Sequence, residues 1–131
     1  MVLEKGEDNE CDKGTGENMQ SKVVEYNLEY NMPTVEVALQ RMKNALTTNK
    51  GLGCKAVILI HGYGSSGVGG SIKAAVTRCL SDNSMRGIVR TYVGGEQWSN
   101  RKREILAMCK SLEDYERRIA NNEGVTVVIL K

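Results

Sequence analysis

The chain has 131 residues, 40% of them apolar, with one Trp and no Phe. That is room for one domain around a core of Val, Ile, Leu, Met and Tyr, and it excludes a two-domain enzyme with an interdomain cleft. The net charge of +2 conceals an asymmetry: residues 1–20 carry two lysines and six acids (2 − 6 = −4), which leaves 16 bases and 10 acids (+6) on residues 21–131, a body suited to a polyanion.

Residues 1–20 are polar and aperiodic and are expected to form a disordered acidic tail, with one domain over 21–131. Val24, Tyr26 and Leu28 alternate with polar residues, the period of a half-buried strand. Pro33-Thr34 opens a helix that Thr34 can cap, with Val35, Ala38, Leu39, Met42, Ala45 and Leu46 recurring along one face and Asn49 to Gly53 ending it. Ala56 to Ile60 is a β-branched run suited to a central strand covered on both faces. A glycine-rich loop leads to a helix over about 71–81, and Ile88 to Val93 reads as a third strand. Met108, Leu112, Tyr115 and Ile119 predict an amphipathic helix within 100–121, Asn121 to Gly124 breaks it, and Val125 to Leu130 is a fourth strand. The order β-α-β-α-β-(α)-β predicts an α/β layer structure with a mixed four-stranded sheet.

Composition also limits the chemistry. Cys11, Cys54, Cys79 and Cys109 form no C-x-x-C pair, and a single histidine cannot complete a Cys/His zinc set, so reduced thiols are expected. No stretch reaches the roughly 18 apolar residues of a membrane span and no leader pattern opens the sequence, so the expected location is the cytoplasm.

The densest signal is Ala56 to Leu80. The apolar run ends in the lone histidine, His61, followed by glycines at 62, 64, 67, 69 and 70 and then the second helix. Strand, glycine loop and helix N-terminus together make a common anion site, because glycine admits close backbone approach and the first helical N–H groups lack internal partners. His61 is expected in the exposed mouth of this loop, contacting phosphate or moving a proton. Gly62, Tyr63, Gly64, Ser65, Ser66, Gly67, Ser71 and Lys73 are the candidate phosphate-binding residues, with backbone, hydroxyl or ammonium donors. Gly62-Tyr63-Gly64-Ser65-Ser66-Gly67 also spells G-x-G-x-x-G, but the acid expected about 20 residues on is missing from the next strand; Asp82 lies in the turn before it. An α/β-hydrolase is excluded because neither a G-x-S-x-G elbow nor a later triad histidine occurs.

Three segments in this order, Thr34-Val35-Glu36-Val37-Ala38-Leu39, Ile58-Leu59-Ile60-His61-Gly62-Tyr63-Gly64 and Gly124-Val125-Thr126-Val127-Val128, resemble the small MutS-related (Smr) domain family over about residues 22–131. The resemblance implies a two-layer α/β sandwich like the C-terminal domain of translation initiation factor 3. It also implies binding of DNA or RNA, the ribosome included, and in many members cleavage with or without a metal such as Mg or Mn.

The chain departs from that family twice. Where the first motif has L-D-x-H-G, Asn27 and Glu29 replace the Asp and the His. Glu29 remains a candidate base or metal ligand, and both an endonuclease using His61 with Glu29 and a non-catalytic binder stay open. The second departure is an inserted segment between the last two strands, with a helix expected at about 97–121 that covers the sheet. It brings Trp98, expected to be structural, and Arg101-Lys102-Arg103, a candidate clamp on nucleic-acid backbone. The same insertion is a candidate surface for a protein partner.

Overall fold

The apolar run 56–60 lies inside a four-stranded sheet, as its unbroken apolar character predicts. The computed structural model describes residues 22–30, 33–62 and 69–131. Strands β1 (Val23–Asn27), β2 (Ala56–Ile60), β3 (Val89–Gly94) and β4 (Val125–Leu130) stand in the order β1-β2-β4-β3. β1 and β2 pair in parallel, while β4 runs antiparallel to both β2 and β3. The carboxyl ends of β1, β2 and β3 therefore share one edge, together with the first residues of β4. The expected acidic tail falls outside the described residues.

Helices α1 (Val35–Gly51) and α2 (Gly69–Leu80) cover one face. Each offers an i, i+4, i+8 stripe, Ala38-Met42-Leu46 and Ile72-Val76-Leu80, which packs on Val57, Leu59, Val128 and Leu130. The Thr34 side chain accepts from Val37 N at 3.2 Å, capping α1 as expected. Gly53 takes the left-handed turn beyond the helix with φ 86°. This half is the two-layer α/β arrangement read from the sequence.

The insertion adds cover on the second face. Trp98, Ile105, Cys109, Leu112 and Ile119 pack on Ala56, Ile58, Val127 and Ile129. Both inner strands are consequently buried along nearly their whole length. The single helix expected over about 97–121 is instead α3 (Trp98–Met108), a 3-10 turn (Lys110–Tyr115) and the one-turn α4 (Glu116–Ile119). The break is at Cys109, in extended conformation with φ −149° and ψ 90°. A straight helix of that length would run about 37 Å, whereas four strands span about 15 Å, so the segment must fold back to keep its apolar side on the sheet.

Cys54, Cys79 and Cys109 form no disulfide among the described residues. Burial pushes all three thiols up, which keeps them protonated and unreactive. Cys54 donates to Asn49 Oδ1 at 3.6 Å, closing the end of α1. Among the described residues no helix is long and apolar enough to cross a membrane.

Candidate functional site

The shared edge of β1, β2 and β3 carries the chemistry. His61 follows β2, and its backbone N–H and that of Gly62 both reach Gly124 O, at 2.9 and 3.0 Å, so the start of the glycine loop is tied to the entry of β4. The imidazole is fully buried, not exposed in the loop mouth as the sequence suggested. Its side chain falls on the α1/α2 face, where Nδ1 lies 2.7 Å from Gly62 O and Nε2 lies 2.8 Å from Thr126 Oγ1. A carbonyl can only accept, so Nδ1 carries the proton and Nε2 accepts from the Thr126 hydroxyl.

Burial lowers the His61 pKa from 6.5; the Gly62 carbonyl opposes this, the Lys73 charge adds to it and Glu96 opposes it, and the net shift is downward. Below about pH 6.5 the unfolded chain thus binds more protons than the folded one. Stability is expected to fall as pH drops through 6.5 toward the lower folded value and to level off beneath it. His61 is the chain's only histidine. Melting temperatures at pH 7.5 and 5.5 should therefore separate more in the wild type than in His61→Gln; equal separation would assign the effect to other groups.

Glu29 does reach the site. The Asn27 side chain accepts from Glu29 N at 2.8 Å, turning the chain after β1. The Glu29 carboxylate then lies over Gly62, where a Cβ would collide with its oxygens. Gly62 has φ 73°, so glycine is required there both for conformation and for space. Asn27 thus has a structural task.

On the other side of His61, Thr126 lines a cleft of about 260 Å³ with Lys73, Thr77, Tyr92, Glu96 and Arg101. Lys73 Nζ and Glu96 Oε2 are 2.9 Å apart across it. Burial raises the Glu96 carboxyl, but hydrogen bonds from Lys73 and from its own backbone N–H, with the Lys73 and His61 charges, outweigh that and hold it below the usual glutamate range. The Arg101 guanidinium is committed to Tyr92 O at 2.7 Å, Thr91 Oγ1 at 3.1 Å and the Glu104 carboxylate.

These strands, helices and the edge they share correspond to a known fold. No protein-family model and no curated protein matches the sequence. Among solved structures, the crystal structure of the Smr domain of Thermus thermophilus MutS2 matches at 23% identity with a TM-score of 0.52, covering 82% of this chain and 96% of that one. The chain has an Smr-like fold.

In this Smr-like domain the candidate residues separate. His61, Glu29 and Gly62 come together, and Lys73 and Arg101 meet in the adjoining cleft. Tyr63, Gly64, Ser65, Ser66 and Gly67 lie outside the described residues. Ser71 is exposed inside the first turn of α2, which begins at Gly69. Arg101, Lys102 and Arg103 fan around α3 by about 100° each and form no single clamp: Lys102 pairs with Glu116 at 2.6 Å, and Arg103 faces solvent. Trp98 is structural, buried with its Nε1 donating to Glu116 Oε2 at 3.2 Å. Asp82 caps the turn ahead of β3 by accepting from Ser84 N at 2.8 Å. Among the described residues no three His, Cys, Asp or Glu side chains converge. The sequence reading missed Thr126 and Glu96. Thr126 carried a signal, being the one polar residue inside an apolar strand; Glu96 carried none.

Proposed function

We propose that this domain binds nucleic acid through its sugar–phosphate backbone, at the strand edge where Lys73 and Arg101 line a cleft beside His61. The observation that carries the reading is the Smr-like fold with Lys73 and Arg101, each held by a carboxylate, lining one cleft next to the His61–Thr126 pair. The net +6 on residues 21–131 adds a field that draws in a polyanion. Fluorescence anisotropy with a labelled single strand at a series of salt concentrations tests the reading. Affinity should fall linearly on logarithmic axes, and Lys73→Ala should flatten the slope by about 0.7, the share of one phosphate contact on a single strand. Affinity indifferent to salt would overturn it.

Cleavage is a second reading, favoured by one geometry. The Thr126 hydroxyl, the His61 imidazole and the Gly62 carbonyl line up as hydroxyl, base and orienting acceptor, and a neutral imidazole at that point is a competent base. Nicked or shortened product from the wild type and none from His61→Gln would support an endonuclease; product from both would remove His61 from the chemistry. Capture of a protein by the insertion would have to use its polar outer side, since its apolar side packs on the sheet. Deleting residues 97–121 would therefore probe folding before it probed capture.

A further inference from the structure

A groove that only grips phosphate has no use for a carboxylate, because like charges at short range oppose binding. Glu96 nevertheless faces this cleft, and the chain around it is shaped to keep it there. Gly94 leaves room for the carboxylate to fold back on the strand end, where a Cβ would stand 2.6 Å from Oε1. Gly95 sits against the backbone oxygens of Ile119 and Asn122, with no space for a side chain. Lys73 then holds Oε2 at 2.9 Å.

The cleft's hydroxyl protons are spent inward. Thr77 Oγ1 donates to Lys73 O at 3.0 Å, and Thr126 Oγ1 donates to His61 Nε2 at 2.8 Å. Ser81 Oγ donates to Thr77 O at 3.0 Å, so the Tyr92 hydroxyl, in contact with Ser81 Oγ, supplies the proton of that pair. What these groups offer a ligand is acceptor lone pairs, from the Glu96 carboxylate and the exposed Thr77 hydroxyl oxygen, next to the Lys73 ammonium. The complementary ligand carries a hydroxyl donor beside an anion. At about 260 Å³ the cleft suits one sugar–phosphate unit, being smaller than the roughly 300–1,000 Å³ of a drug-sized site. A ribonucleotide has that combination. The 2′-hydroxyl is the group that DNA lacks, and a carboxylate is a known acceptor for a ribose hydroxyl.

We infer that Glu96 accepts a hydrogen bond from a ribose 2′-hydroxyl while Lys73 meets the neighbouring phosphate, which makes the ligand RNA in preference to DNA. This rests on the backbone-binding reading above. The test is anisotropy on the full chain with three labelled strands of one non-pairing sequence (ribo, deoxy and 2′-O-methyl) at fixed salt. The ribo strand should bind about tenfold tighter than the other two, the scale of one hydrogen bond to a charged group. Glu96→Gln, at an exposed position where the fold is not at stake, should shrink the preference to below about threefold. Equal binding of ribo and deoxy strands overturns the inference and leaves backbone binding standing. A preference that survives Glu96→Gln also overturns it. Binding of no strand removes the backbone reading, and this inference with it.

Discussion

Trp98→Ala is expected to destabilise the domain by about 3–5 kcal/mol, the range for deleting a buried large aromatic side chain. The indole is fully buried on the second face of the sheet, among Ile105, Leu112, Ile119, Val127 and Ile129. Its removal leaves a cavity that a folded-back segment cannot close without moving both α3 and the 3-10 turn. It also takes the Nε1 donor from Glu116, which Lys102 shares. Against a typical total of about 5–15 kcal/mol, that is about a fifth or more of the stability. Urea denaturation followed by far-ultraviolet circular dichroism measures it, since Trp98 is the sole tryptophan and the variant has no indole signal. A loss near 1 kcal/mol would mean that the insertion is a soft cover and that the α1/α2 side alone holds the fold.

Gly95→Ala is expected to cost about 3 kcal/mol, the upper end for overpacking, and to abolish preference for ribose as well. The new methyl would overlap the carbonyl oxygens of Asn122 and Ile119 and stand 3.0 Å from Asn122 C. Both carbonyls are engaged: Ile119 O receives Asn122 N at 3.1 Å, and Asn122 O receives Val125 N at 3.4 Å. The whole turn ahead of β4 must shift, and Glu96 shifts with it. Gly87→Ala is the matched control, because nothing lies within 4 Å of its added Cβ; it should stay within about 0.5 kcal/mol of wild type. Equal, small losses in both variants would show that the 119–124 turn yields readily.

Much of the architecture was legible because it rests on local pattern. The Ala56 to Ile60 run could only be an inner strand, Thr34 stood where a cap was needed, and the two helical stripes on the first face follow from spacing alone. The insertion was legible in its apolar positions but not in its shape, since the break at Cys109 answers to the width of the sheet. The site was legible where it sits on one segment. His61 and Gly62 follow β2, and Glu29 follows the strand beside it in parallel register. The burial of His61 was not, because its partner Thr126 lies 65 residues away. Glu96 was hidden for the same reason: between Gly95 and Gln97 it reads as an ordinary turn residue, and only the packing of α2 beside β3 brings Lys73 to it.

The placing of β4 has a consequence for synthesis. It is the last strand in the chain and yet lies between β2 and β3, which do not touch without it. A nascent chain that has emerged only to residue 124 can form the β1-α1-β2 unit, but β3 has no strand to join. The Thr126 hydroxyl that fixes His61 is also still missing. The fixing of His61 and sheet closure thus arrive in one event, and an incompletely emerged domain presents open strand edges.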